Sequence, residues 1–179
     1  MEYVFETGRL RARAFVPGDA QRLYEIHLDE EVKKWFPNES YQDAQEAGEA
    51  AVFFADCVKA GRLPCVLAVE LKRTGELIGD AGINEADGKP EEIEVGYVIC
   101  RELRGQGYAT ELLGGLTEYA ASAFGVKSLF GRVVKGNGAS VRVLEKNGYG
   151  FVAEESGAED DPYGHGVLVY MKNTRPNGA

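Results

Sequence analysis

Apolar and polar residues alternate with two different periods near the middle of the chain. In residues 92–99 the apolar side chains occupy every second position, which predicts a strand with two distinct faces. In residues 109–123 they recur every three or four positions, which predicts a long helix with one apolar face. A short segment containing Gly105 and Gly107 joins the two elements. The pattern therefore predicts a strand, a tight turn and a helix in direct succession.

The start of the chain shows a similar pattern. Residues 9–15 alternate, which predicts a strand with one face exposed to solvent. The side chains expected on that face are those of Arg9, Arg11 and Arg13. Residues 16–19 contain a proline and an aspartate, which suit the first turn of a helix. We therefore expect the first helix to begin there.

A second helix and a hairpin are predicted next. Ser40-x-x-Asp43 has the spacing of a capping box, so this helix should begin there and end at Gly61. Residues 63–71 and 76–84 have the pattern of two strands, and the turn between them contains a glycine. These strands should form a hairpin, and the strand at residues 92–99 should follow as the fourth strand of the chain.

The C-terminal third begins with a strand at residues 127–134, which a crossover helix makes parallel to the strand at residues 92–99. A short helix follows, with Asn137 as its N-cap. Two further strands are expected at residues 149–155 and 166–172, with a loop between them at residues 157–165. Residues 173–179 are expected to form a disordered tail. The expected order is β-α-α-β-β-β-α-β-α-β-β within one domain, residues 1–179.

Composition narrows the class of protein. A chain of 179 residues with 44% apolar content is long enough to bury one core. The net charge of −9 argues against a nucleic-acid partner and is compatible with a cationic small molecule or peptide, although solubility alone also explains it. We expect no signal peptide, because residues 1–10 carry charges and no apolar run. We expect no membrane partner, because no segment approaches ~20 consecutive apolar residues. Cys57, Cys65 and Cys100 lack metal-ligand spacing, which favours a reduced, cytoplasmic protein without a metal.

The glycine-containing segment is the strongest candidate for a binding site. Gly105 and Gly107 let the backbone approach a ligand, and the first turn of the following helix offers unpaired N–H groups. Such a site suits a phosphate or pyrophosphate, although a plain tight turn would have the same two glycines. A Rossmann motif would need a third small residue at Thr110, and no Gly-Lys-Ser/Thr follows for a P-loop.

The complete string of a strand, Arg104-x-x-Gly107-x-Ala109 and a helix resembles the acetyl-CoA-binding motif of the GNAT N-acetyltransferase superfamily. Glu94-Val95-Gly96-Tyr97 and Asn137-x-x-Ser140 are similar to the RimJ/RimL-type branch. The resemblance extends from about residue 9 to residue 172. It implies an α/β (α+β) GNAT fold, with a mixed sheet of about seven strands flanked by helices. The fourth and fifth strands of this fold splay apart, and pantetheine enters the gap like an added strand.

The resemblance also implies where acetyl-CoA, the expected cosubstrate, would bind. The backbone of Val98 and Ile99 would lie beside the pantetheine and the acetyl carbonyl, and Asn137 would contact the cosubstrate. The residues expected around the pyrophosphate are Arg104, Gly105, Gln106, Gly107, Tyr108, Ala109 and Thr110. The two early helices would line the acceptor side.

Two residues are candidates for the chemistry that the resemblance implies. Glu94 is the candidate base for the ammonium proton, although it could be an exposed strand residue or part of an ion pair. Ser140 is the candidate acid for the leaving thiolate, although it could instead cap a helix. Many members have a tyrosine where this chain has Leu144. For His27 a partly buried structural role is expected, and His165 is assigned no role.

The function implied is direct transfer of an acetyl group from acetyl-CoA to a primary amine of a protein N-terminus or a small molecule. A non-catalytic acyl-CoA-binding or regulatory module with the same fold is the alternative, and a nucleotide-binding α/β protein is a third possibility. The expected protein is a monomer or homodimer. The sequence does not identify the amine.

Overall fold

One mixed sheet of eight strands carries the fold in the computed structural model, which describes residues 2–156 and 166–174. In chain order the strands are β1 (Phe5–Glu6), β2 (Leu10–Arg13), β3 (Cys65–Leu71), β4 (Leu77–Ala86), β5 (Lys89–Ile99), β6 (Ser128–Val134), β7 (Gly150–Glu155) and β8 (Val167–Asn173). Across the sheet their order is β1-β2-β3-β4-β5-β6-β8-β7. Only the β5–β6 pair is parallel within this described sheet.

Five α-helices surround the sheet in the described part of the chain. They are α1 (Ala20–His27), α2 (Glu30–Trp35), α3 (Ala44–Lys59), α4 (Tyr108–Phe124) and α5 (Gly138–Lys146). The side chains of β4 are buried without interruption from Leu77 to Ile83, which means that both faces of the sheet are covered at its centre. The apolar face of α4 contributes Leu112, Leu113 and Leu116, which are fully buried in the core.

The predicted fold class is confirmed, and several local predictions need correction or refinement. The sheet has one strand more than the seven predicted. The additional strand is β1, which has only two residues and is therefore too short to show a period. The first helical segment begins within residues 16–19 as predicted, but its first turn, Pro17–Asp19, is a 3₁₀ turn that leads directly into α1. The Ser40 capping box is wrong, since Asp43 is the N-cap of α3 and accepts the Glu46 N–H at 2.9 Å. The helix α2 was not predicted.

Arg13 is buried, contrary to the prediction that it faces solvent. Its guanidinium donates to the Asp19 carboxylate at 2.7 and 3.0 Å and to the Glu70 carboxylate at 2.9 Å. All three side chains are at most 8% exposed. This triad ties β2 and β3 to the turn that starts α1, and so fixes the position of α1 on the sheet.

The strands β5 and β6 diverge, as the family resemblance implies. Ladder pairs join them only at Ile93 with Leu129 and at Glu94 with Phe130. The pairing of β5 with β4 continues to Ile99. The C-terminal half of β5 therefore borders an opening on its β6 side.

The C-terminal end of the chain is ordered further than predicted. Asn173 belongs to β8 and accepts the Ser128 hydroxyl at 2.8 Å, and the Thr174 N–H donates to Lys127 O at 2.9 Å. The rest of the predicted tail, residues 175–179, and the predicted loop, residues 157–165, lie outside the described residues. Within the described part of the chain, no helix has the length and apolar character needed to cross a membrane.

Candidate active site

The segment between β5 and α4 has the backbone that its two glycines predict. Gly105 has a φ of 74°, and Gly107, the N-cap of α4, has a φ of 81°. Residues with a side chain rarely adopt such φ angles, so glycine is required at both positions. The first-turn N–H groups of α4 have no partners within the helix and point out of its N-terminus. The segment therefore has the geometry of a phosphate cradle.

Two arginine side chains brace this segment. Arg104 does not reach outward, because its Nε donates to Ile99 O at 3.0 Å and its guanidinium lies 3.5 Å from the Asp29 carboxylate. Arg9 donates to Gln106 O at 3.1 Å, and its guanidinium lies 4.1 Å from the centre of the Tyr108 ring. The sequence did not single out Arg9, because its contacts lie about a hundred residues away along the chain.

A groove of about 320 Å³ opens between α2, β5 and α5 next to this segment. It brings together all the predicted cosubstrate residues except Gln106. They are Val98, Ile99, Arg104, Gly105, Gly107, Tyr108, Ala109, Thr110 and Asn137. Arg142 and Lys146 of α5 also line the groove, which contains only one acidic residue, Glu31, among its described lining residues. Among the described charged side chains that line the groove, cations therefore outnumber the single carboxylate.

A second cavity, of about 830 Å³, lies on the other side of Tyr97. Tyr97 and Phe36 line both the groove and this cavity. Seven carboxyl groups line the cavity, from Glu39, Glu46, Glu49, Asp80, Glu85, Asp87 and Glu94. Among its described lining residues, His27 alone can carry a positive charge. The two spaces therefore have opposite charge.

Glu94 lines the acidic cavity and also takes part in an ion pair. Its carboxylate accepts from Arg132 Nη1 at 3.2 Å, and the same guanidinium binds Glu92 and Glu155. Burial raises the pKa of the Glu94 carboxyl, and Arg132 offsets only part of that effect. The structure thus contains the ion pair considered from the sequence and leaves Glu94 at the cavity wall, where a base would be placed.

Glu39 is a second residue of this cavity whose carboxyl group has a raised pKa. It reaches solvent through the cavity, and no described side chain pairs with its carboxylate. Although the residue as a whole is exposed, desolvation of its carboxyl group in the cavity, together with the charges of Asp80 and Glu94, raises the pKa of the Glu39 carboxyl to about 7, against the opposing effect of His27. No motif or periodic pattern in the sequence singles out Glu39.

Ser140 does not cap α5 with its side chain. The N-cap is Asn137, whose side-chain oxygen accepts the Ser140 N–H at 3.2 Å. The Ser140 hydroxyl instead lies 3.0 Å from the Tyr97 hydroxyl. Leu144 is only 2% exposed and packs on Gly131, where a Cβ would come within 2.5 Å of it. Leu144 is therefore part of the core rather than of the site.

His27 is more deeply buried than predicted and is positioned by two oxygen atoms. Its Nε2 lies 2.7 Å from the Asp80 carboxylate, and its Nδ1 lies 2.7 Å from Glu39 O. A neutral imidazole has only one N–H, so two acceptors require the doubly protonated ring when Asp80 is ionised. Burial lowers the pKa of His27, but Asp80 and the Glu39 carbonyl outweigh it and bring this pKa to about 8. The charged ring ties the cavity wall at Glu39 to α1 and β4.

This charge should make the contribution of His27 to stability depend on pH. Because the pKa of His27 in the folded protein, about 8, exceeds the ordinary value of 6.5, the stabilisation is complete below pH 6.5 and is lost as the pH rises through 8. Urea unfolding should show that the free energy of unfolding of the wild type exceeds that of His27→Gln at acidic pH. This difference should be about 2 kcal/mol larger at acidic than at basic pH. The control is His165→Gln, which changes the other histidine of the chain. A pH-independent difference would mean that His27 is neutral.

The comparisons with known proteins identify the family. Residues 9–150 match the family described as the acetyltransferase (GNAT) domain, so the chain belongs to the GNAT acetyltransferases. It is 27% identical to an uncharacterized N-acetyltransferase, YoaA, of Bacillus subtilis over 172 residues, which cover 94% of this chain and 97% of that protein.

Solved structures show the same fold. RimL, a ribosomal L7/L12 alpha-N-protein acetyltransferase in complex with coenzyme A, superimposes with a TM-score of 0.80 at 17% identity, covering 96% of this chain and 98% of that one. Spermidine N-acetyltransferase from Vibrio cholerae, in complex with CoA and spermine, superimposes with a TM-score of 0.76 at 18% identity, covering 92% and 95%.

Proposed function

We propose that the protein transfers the acetyl group of acetyl-CoA directly to a primary amine. The observation that carries this proposal is the meeting of two spaces of opposite charge at Tyr97, beside the opening between β5 and β6. The cationic groove suits the anionic cosubstrate, and the acidic cavity suits an ammonium group. An amine and a thioester bound in these spaces would approach each other at the C-terminal half of β5.

Cosubstrate binding is assigned to the glycine-containing segment and the groove. The N–H groups of residues 104–110 would hold the pyrophosphate, and Arg142 and Lys146 would add positive charge nearby. Of the two strand residues expected beside the acetyl carbonyl, Ile99 has the more suitable backbone. The Cys100 N–H donates to Ile78 O on the β4 side at 2.7 Å, so alternation turns the Ile99 N–H toward the opening. This N–H is our candidate for stabilising the oxyanion.

Glu94 is assigned the role of base. The amine enters as an ammonium ion, and its proton must leave before the nitrogen can attack the thioester. The Glu94 carboxylate lines the cavity, and its raised pKa makes it a better proton acceptor than an ordinary glutamate. Attack by the neutral amine would form a tetrahedral intermediate, and breakage of the C–S bond would release coenzyme A.

The acidic cavity favours an acceptor with more positive charge than one ammonium group. A polyamine or a basic peptide end would both meet this requirement. The similarity to RimL and to spermidine N-acetyltransferase is compatible with either acceptor. Membership in the RimJ/RimL-type branch, a single domain and a cytoplasmic location belong to the same proposal. The three cysteines, which are all free and buried, support a reducing compartment.

Gly107→Val tests the cosubstrate site. Its branched side chain would stand at a φ of 81° where the pyrophosphate is expected to approach the backbone. Calorimetry should show at least a tenfold loss of acetyl-CoA affinity, about 1.4 kcal/mol. The matched control is Gly125→Val at the other end of α4, where φ is 62° and a Cβ meets no atom within 4 Å. An equal effect of both substitutions on affinity would remove the pyrophosphate assignment.

A further inference from the structure

The proposed reaction requires a proton for the leaving sulfur, and α5 does not supply it at the position that is tyrosine in many members. Leu144 is apolar, 2% exposed and packed on Gly131. The proton must therefore come from another residue. This inference rests on the proposed function and extends it to the source of that proton.

Tyr97 is placed between the two substrates that the reaction would join. It is the residue before Val98 on β5, and it lines both the acidic cavity and the groove. Its hydroxyl lies 3.0 Å from the Ser140 hydroxyl, which lines the groove but not the cavity. The two hydroxyl groups thus form a short path from the acceptor side to the cosubstrate side.

We propose that Tyr97 and Ser140 are catalytic residues that relay a proton from the attacking amine to the leaving sulfur. In the tetrahedral intermediate the nitrogen carries one hydrogen more than in the product amide. As the C–S bond breaks, its electron pair goes to sulfur and the Ser140 hydroxyl protonates the sulfur. The Tyr97 hydroxyl protonates Ser140 Oγ, and the nitrogen returns a proton to Tyr97. Both hydroxyls end protonated, and the products are an amide and a thiol.

The environment of Tyr97 suits a relay better than a free ionisable group. Burial raises the pKa of Tyr97 to about 12, and the hydrogen bond with Ser140 only partly opposes this. The phenol therefore stays protonated at neutral pH and regains its proton readily after giving it up. A relay in which the protons move together avoids a free phenolate or alkoxide.

The test compares Tyr97→Phe, Ser140→Ala and the double variant at saturating acetyl-CoA and at a saturating concentration of whichever probe, spermidine or a peptide with a basic N-terminus, the wild type acetylates faster. Each single substitution should lower kcat at least tenfold, and the double variant should lose little more than the more affected single one, because both break one path. The solvent deuterium isotope effect on kcat should be larger in the wild type than in the variants. The loss of kcat in the variants should be smaller when the acetyl donor is the thioester of 4-nitrothiophenol, because this thiolate leaves without a proton.

Tyr149→Phe is the matched control for the loss of a buried phenol. The Tyr149 hydroxyl lies 2.8 Å from the Thr117 hydroxyl, burial raises its pKa to about 12, and it lines neither space. This variant should keep the wild-type kcat. Wild-type turnover in Tyr97→Phe, or multiplying losses in the double variant, would overturn the relay and leave the proposed function intact. A wild-type protein that acetylates no amine would overturn both.

Discussion

Replacing Arg13 by methionine should lower the free energy of unfolding by about 3–5 kcal/mol, because it leaves two buried carboxylates without their partner. Asp19 and Glu70 share this one guanidinium, and the three side chains are at most 8% exposed. Equilibrium unfolding in urea measures the effect directly. Since Asp19 belongs to the turn that starts α1, the loss should also loosen the helix that carries His27 to the acidic cavity.

Arg11→Met is the matched control for Arg13. The two arginines lie on the same strand, but the ion pair of Arg11 with Glu6 spans 3.4 Å and its side chains are 33% and 43% exposed. An exposed pair contributes roughly 0–1 kcal/mol, so this variant should unfold nearly like the wild type. Changing Arg13, Asp19 and Glu70 together to uncharged residues of similar size should restore much of the loss. Equal effects of the two arginine substitutions would contradict the buried triad.

Replacing Glu94 by glutamine should lower kcat/KM by about 100-fold, within the range for loss of a general base. Since burial raises the pKa of Glu94, protonation of this residue should produce the acidic limb of the pH–rate profile in the wild type. That limb should disappear in the variant, while acetyl-CoA affinity stays unchanged. Steady-state kinetics across pH and calorimetry measure the two effects.

Glu92→Gln separates a base from a member of an ion pair. Glu92 and Glu94 both bind Arg132, but only Glu94 is among the described residues that line the cavity. Loss of Glu92 should therefore weaken the ion pair and leave catalysis nearly unchanged. Equal losses in the two variants would make Glu94 structural. Full activity of Glu94→Gln would transfer the role of base to another group, and Glu39 is the first to examine because its pKa is raised to about 7.

The parts of the fold that follow from local patterns could be predicted from the sequence. The strand β5 and the helix α4 are long and periodic, and the two glycines between them specify their own backbone. The capping of α5 by Asn137 is also local, since its partner is Ser140. The family resemblance supplied the divergence of β5 from β6, which no single segment encodes.

The features that could not be predicted depend on residues far apart in the chain. Arg13 looked like a solvent-facing arginine because one of its two partners, Glu70, lies 57 residues away. His27 looked unremarkable because Asp80 lies 53 residues away. The contact of Tyr97 with Ser140 spans 43 residues. A periodic pattern indicates which face of an element is buried, but it does not indicate which polar residue of another element contacts that face.

The central claim, amine acetylation with acetyl-CoA, is tested most directly by following free thiol and product mass together. The purified protein is mixed with acetyl-CoA and, in separate reactions, a monoamine, spermidine and a peptide with a basic N-terminus. We expect amine-dependent thiol release with an equal amount of product heavier by one acetyl group, fastest for the multiply charged acceptors. Tight binding of acetyl-CoA without acetylation of any amine would contradict the account and identify a non-catalytic acyl-CoA-binding protein.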